Sequence, residues 1–242
     1  SAILLDETLA TAQIEGETLD RDSVRSSIAN KLGIGQISKI DKNADGLVEV
    51  LLQAIRSSDK PLSHLQLKAW HQVMFPVAPL LIDLTIGEYR DAPMHIQSGR
   101  YGKETIHFIA PGGTRDAVQY EMDNFLSWLQ QNHPESGYIR AAIAKFYFVT
   151  IHPFDDGNGR LSRIIAERCL AETEKTNLRL YSLSNRIEAR RGEYYTLLEQ
   201  CQRGNGDITE WVCWFLDIVA EAGNDAKVHF QDLTFRTRFW QH

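Results

Sequence analysis

The chain lacks the residues and patterns that would place it in several large classes of protein. It has three cysteines in 242 residues, Cys169, Cys201 and Cys213. They lie in or beside apolar helical patterns and share no ligand spacing. That argues against a disulfide framework or a thiolate metal site, and the reading is of three reduced core residues in a cytoplasmic protein. Excess positive charge is also missing. The formal net charge is −6, which argues against nonspecific nucleic-acid binding by this segment. No apolar run is long enough to span a membrane: Trp211 to Ala222 is short and carries Asp217, so it reads as a core helix. A secretory signal is not expected, because Ile3-Leu4-Leu5 is followed at once by Asp6-Glu7. Internal repeats and low-complexity stretches are absent. Asp41-Lys42-Asn43-Ala44-Asp45-Gly46 looks like half of a calcium loop, but Leu52 stands where a bidentate glutamate is required. It reads as a turn with a helix cap, and no calcium site is expected.

What is present is ordinary globular material, 43% hydrophobic and 24% charged, with ample core for one large domain or a domain with a helical extension. Apolar spacing predicts helices over about 2–15, 20–32, 45–56, 63–74, 115–131, 139–151, from near Arg160, over 187–201 and over 211–220. Tyr101 to Pro111 is β-rich and alternating, between Ser98-Gly99 and Gly112-Gly113, so it predicts a hairpin. Gly33-Ile34-Gly35 separates an N-terminal helical region, 1–34, from a core, 35–225, and a basic-aromatic tail follows at 226–242.

The chemistry concentrates in His152-Pro153-Phe154-Asp155-Asp156-Gly157-Asn158-Gly159-Arg160-Leu161-Ser162-Arg163. Pro153 and the Asp-Gly-Asn-Gly cluster stop a buried helix and force a loop. A second helix starts near Arg160. Gly157 and Gly159 let backbone N–H groups approach an anion at its N-terminus, where the helix dipole also favours negative charge. Arg160 and Arg163 lie three apart on its first turn, and their planar forks suit phosphate oxygens. Asp156 is a hard oxygen ligand able to hold Mg²⁺ against those phosphates. His152 can take a proton at neutral pH. A zinc reading of His152 with Asp155 or Asp156 lacks further closely spaced His or Cys.

The segment resembles the signature of the Fic (filamentation induced by cAMP) family, His-x-Phe-x-Asp/Glu-Gly-Asn-Gly-Arg-x-x-Arg, at all eight specified positions: His152, Phe154, Asp156, Gly157, Asn158, Gly159, Arg160 and Arg163. The resemblance implies a mainly α Fic-fold helical bundle with a small β-hairpin flap, and transfer of AMP from Mg²⁺-ATP to a Ser, Thr or Tyr hydroxyl of a target protein. It gives His152 the base role and Asp156 the Mg²⁺. Gly157, Asn158 and Gly159 would hold the α-phosphate, and Arg160 and Arg163 the departing phosphates. Glycine at 159, where phosphate-transferring members carry lysine, favours nucleotidyl transfer.

Thr11-Ala12-Gln13-Ile14-Glu15-Gly16 reads on physical grounds as a helix end with a glycine stop. It also resembles the family's inhibitory motif through Thr11, Glu15 and Gly16, which implies a Glu15 carboxylate on Arg163 where a phosphate must sit. The resemblance further makes Ile106, His107, Phe108 and Ile109 the strand edge that holds the target by backbone pairing. Tyr195 is an adenine-stacking candidate, with core packing as its rival reading. The tail resembles the segment after which family members continue into a winged-helix domain, so any DNA binding would belong to such a domain and not to this segment. Monomer and homodimer both stay open. So do AMP removal, another nucleotide in place of ATP, and a nucleotide-sensing module without catalysis, although an intact His152 argues against the last.

Overall fold

A computed structural model describes residues 2–34, 40–76, 84–100, 103–131 and 135–239. Among these residues the chain forms ten helices and one two-stranded antiparallel sheet. The helices are α1 (Ala2–Ile14), α2 (Arg21–Lys31), α3 (Lys42–Arg56), α4 (His64–Met74), α5 (Arg115–Gln130), α6 (Gly137–Ile151), α7 (Asn158–Glu174), α8 (Leu183–Ala189), α9 (Arg191–Arg203) and α10 (Thr209–Phe239). The strands are β1 (His95–Arg100) and β2 (Lys103–Ile109), paired from His95 opposite Ile109 to Arg100 opposite Lys103. No described helix is long and apolar enough to cross a membrane.

Side chains fix most of the helix starts. Asp20, Asp41, Ser63, Thr114, Ser136 and Ser182 each accept a backbone N–H of the turn they open. Asp41 accepts from both Asn43 and Ala44, at 3.0 Å each, so α3 begins at Lys42 rather than at Asp45. The acidic segment is therefore the first turn of a helix. Gly46 lies inside that helix because a Cβ there would stand 2.1 Å from the Val73 carbonyl oxygen.

Two further boundaries differ from the apolar spacing. The single helix expected over 187–201 is two, α8 and α9. Arg190 leaves helical geometry between them and bridges Glu193, at 2.7 Å, and Glu221, at 2.9 Å. α10 runs on through the residues read as a tail, as far as Phe239, since no proline or glycine follows Gly223 to stop it. Trp240 lies outside the described residues, as do Gly35, Tyr101 and Gly102.

α6 and α7 pack along each other at the centre. α6 is buried on most of its surface, and α7 buries thirteen of its residues, including Arg160, Arg163, Glu167 and Arg168. Trp211 of α10 closes the core and donates its indole N–H to the Ala142 carbonyl at 2.9 Å. Of the three cysteines expected in the core, Cys169 and Cys201 are buried and Cys213 is exposed. α1 lies across α8 and is anchored there by the buried Glu7. That carboxylate accepts from the Ser182 hydroxyl (2.8 Å), the Ser184 N–H (2.9 Å) and the Ser184 hydroxyl. Ion–dipole bonds of this kind are worth about 1.5–3 kcal/mol each. They hold the far end of α1, Thr11 to Glu15, over the N-terminus of α7.

Candidate active site

α6 ends at His152, which takes a left-handed conformation (φ 51°) that non-glycine residues rarely adopt. Its Nδ1 lies 3.1 Å from the Val149 carbonyl oxygen. Nδ1 must therefore carry the proton, which leaves Nε2 as the acceptor. Burial lowers the pKa of the imidazole and the charge of Arg90 adds to this, against the Val149 carbonyl, Glu15 and Asp156. A neutral histidine with a bare Nε2 is the form that can take a proton.

The loop beyond it is built on backbone contacts. Asn158 is buried, and its carboxamide accepts from the Phe154 N–H (2.9 Å) and donates to the Phe154 carbonyl (2.8 Å). The side chain thus closes the loop that leads into α7. Gly157 caps α7 with φ 78°, and a Cβ there would stand 2.8 Å from the Phe75 ring. Unlike most helices of this chain, α7 has no side-chain cap, so its first N–H groups are left for another acceptor.

Asp156 is largely exposed. Its Oδ1 accepts from the Gly157 N–H at 2.6 Å and its Oδ2 is 3.7 Å from Arg160 Nη2. One carboxylate with free lone pairs beside phosphate-binding groups is the donor set Mg²⁺ takes when phosphates and waters fill its other positions. No cluster of three or more metal-binding side chains occurs among the described residues.

Both arginines are occupied. Arg163 is fully buried and donates Nε–H to the Thr11 hydroxyl (2.6 Å) and Nη2 to the Thr11 carbonyl (2.9 Å) and to Glu15 Oε1 (2.7 Å). Its Nη1 is buried without a partner. Burial pushes the Glu15 carboxyl up, but Arg163, Arg160 and Lys145 together outweigh it and hold the group below its ordinary range. Gly159 makes room for this contact, since a Cβ there would stand 2.1 Å from Glu15 Oε1. Gly16, at φ 82°, turns the chain away after Glu15. Arg160 donates Nη1 to Glu17 at 2.9 Å and stacks on Phe75, 4.9 Å from the ring centre. Burial, with Asp156 and Glu15 nearby, raises the Glu17 carboxyl despite Arg160. Three carboxylates thus crowd two guanidinium groups at a helix N-terminus.

Tyr195 donates its hydroxyl to the Ile14 carbonyl (3.2 Å), which puts it at the C-terminal end of α1, beside Glu15. Its neighbour Tyr194 is buried and accepts from Lys145 Nζ at 2.9 Å. Burial, with Arg163 beside it, drives the pKa of that lysine well down. In the hairpin, Ile106 and Ile109 are exposed and Phe108 is half-buried. His107 is the extra residue of a bulge and meets Glu199 (2.7 Å) and Ser98 (2.6 Å). Arg203 takes the Ile106 carbonyl at 2.7 Å.

The sequence alone did not reveal Glu17, His71 or Arg90. Glu17 could have been noticed as a second carboxylate two residues past Glu15. His71 stacks on Phe154 with ring centres 4.2 Å apart, accepts the Gly87 N–H on Nδ1 (3.0 Å) and therefore donates Nε2–H to the Asp156 carbonyl (3.2 Å). Burial pushes its pKa down to about 4.

Residues 61–170 match the Fic/DOC family, and residues 1–34 match a domain of unknown function, DUF4172. With the fold and the signature loop in place, the chain carries a Fic/DOC family domain over residues 61–170. It is similar to the protein adenylyltransferase Fic of Drosophila ananassae, 24% identical over 86% of this chain and 38% of the relative. The chain therefore spans well under half the length of that curated relative. A Fic family protein from Desulfovibrio desulfuricans G20 shares the fold at TM-score 0.71, with 23% identity over 93% of this chain and 65% of the other. A Fic domain containing signaling protein from Bacteroides thetaiotaomicron aligns at TM-score 0.69, with 15% identity over 93% of this chain and 84% of the other.

Proposed function

We propose that the chain is a protein adenylyltransferase that moves AMP from Mg²⁺-ATP to a Ser, Thr or Tyr hydroxyl, and that Glu15 holds it inactive. His152 Nε2 takes the hydroxyl proton as the oxygen attacks the α-phosphorus. The bond to the β-phosphate oxygen breaks and pyrophosphate leaves. The N–H groups at the start of α7 receive the α-phosphate, and Arg160 and Arg163 hold the phosphates that depart. Asp156 is the residue that would hold Mg²⁺, and the metal supplies charge neutralisation between phosphates. Tyr195 would face the adenine once α1 gives way, and the Ile106 to Ile109 strand, in which Ile106 and Ile109 are exposed, would hold the target strand. The observation that carries this reading is the pairing of a neutral, Nε2-free histidine with two α7 arginines, each bonded to a carboxylate from the end of α1 or just beyond it.

The test uses ATP labelled on the α-phosphate, with Mg²⁺, on wild type, Glu15→Gly and Glu15→Gly/His152→Ala. Label should reach protein in Glu15→Gly and vanish in the double variant. Absence of label in Glu15→Gly, with other nucleotides and a cell lysate supplied, would sink the transferase reading.

A further inference from the structure

Arg90 is a fully buried cation with no ion-pair partner among the described residues. All five of its N–H donors meet backbone carbonyls. Nε–H donates to His152 (2.8 Å), Nη1 to Ala92 (2.7 Å) and Gly112, and Nη2 to Pro111 and Ile151 (3.2 Å). Its own backbone N–H donates to Pro153 at 2.9 Å. These acceptors fall into two groups. Ile151 and His152 are the open carbonyls at the end of α6, where a helix presents partial negative charge. Ala92 leads into β1 and Pro111-Gly112 leave β2, so they are the two roots of the hairpin. One guanidinium therefore grips both stems of the hairpin and the strained backbone of His152. The segment carrying it is itself fixed to α5, through Arg115 Nε to the Tyr89 carbonyl (3.0 Å) and Arg115 N–H to Asp91 (2.8 Å).

We infer that Arg90 is a positioning residue for the transfer: it sets His152 and the hairpin in one rigid frame, so that a hydroxyl held along the hairpin arrives at Nε2. This rests on the transferase reading above. A lysine could not do the same, having three donors on a point against five in a planar fork. The charged groups around His152 are Arg90, Glu15 from the end of α1, and Asp156 from the loop. Arg90 is the one that opposes protonation, so it also favours the base form.

The test compares Arg90→Lys and Arg90→Met in the Glu15→Gly protein. It measures self-modification by α-labelled ATP and titrates His152 by NMR, with the signal assigned through His152→Ala. Arg90→Lys should lower kcat roughly 10–100-fold, with KM for ATP unchanged, because misplacement and not nucleotide binding is the defect. Arg90→Met should in addition raise the His152 pKa and move the acid limb of the pH profile upward. An Arg90→Lys kcat within about twofold of the parent, or an unmoved His152 pKa in Arg90→Met, overturns the inference. If Arg90→Met does not fold, the kcat against KM split in Arg90→Lys decides. If the parent transfers no label, the transferase reading fails, and the NMR titration still decides on Arg90.

Discussion

Removing the Glu15 carboxylate should destabilise the empty protein and open it to nucleotide. Glu15 holds Arg163, which has no exposure and one guanidinium nitrogen already without a partner. Breaking a fully buried pair costs about 3–5 kcal/mol and breaking an exposed one about 0–1. The Glu15 side chain is 31% exposed, so the loss lies between those limits, at about 2 kcal/mol. In a chain of this size that is a fall in Tm of about 4–8 °C. Mg²⁺-ATP should reverse the order. At a hundredfold excess over Kd it adds about 2.7 kcal/mol to a protein that binds it freely, and less to one whose own carboxylate must first be displaced. The assay is thermal unfolding of His152→Ala and Glu15→Gly/His152→Ala, with and without Mg²⁺-ATP, since loss of the base prevents turnover. Equal nucleotide shifts in the two proteins refute the competition. The pH dependence has a fixed sign. The Glu15 carboxyl is lowered from its ordinary 4.5 in the fold, so its contribution is full above that value and is lost as pH falls through the lower folded one. The difference in stability should be flat from pH 8 to about 5 and shrink only in stronger acid.

Gly159→Ala should displace Glu15 without touching it, because the new Cβ would overlap Oε1. Its loss of Tm should approach that of Glu15→Gly, and the double variant should add little, as expected for one shared contact. Glu17→Gln frees Arg160 from a pair that is open to water on its acidic side (42% exposed). ATP affinity of the Glu15→Gly protein, measured by calorimetry, should therefore improve by no more than about fivefold. In Glu15→Gly the rate of label transfer should stay level across neutral pH. It should fall only when acid protonates His152, below the ordinary histidine value of 6.5, because burial lowers that pKa.

The signature loop was legible because its parts are consecutive: base, turn and both arginines lie within twelve residues, and backbone geometry alone brings them together. Thr11, Glu15 and Gly16 were legible as a motif, and the fold supplies the reason for Thr11, whose hydroxyl and carbonyl both accept from Arg163. Arg90 and His71 could not be found this way. They reach the loop across 62 and 85 residues of chain, and they bind its carbonyls, which carry no side-chain code. The break at Arg190 escaped the apolar pattern because ion pairs on the solvent side set it. The length of α10 escaped because its last turns read, in sequence, as a basic-aromatic tail. The bonds of the Asn158 carboxamide to the Phe154 backbone were equally illegible, since a motif names the residue and not the backbone groups it closes on.

Glu15 and Arg163 are 148 residues apart in the chain. A ribosome makes the carboxylate long before the guanidinium, and by the time α7 can fold, α1 already exists to meet it. Arg163 therefore has a partner from the moment it is buried, and the clamp is assembled closed. Under the proposed restraint by Glu15, activity would be a state the protein is brought into after synthesis, with no interval in which a newly made copy is unrestrained.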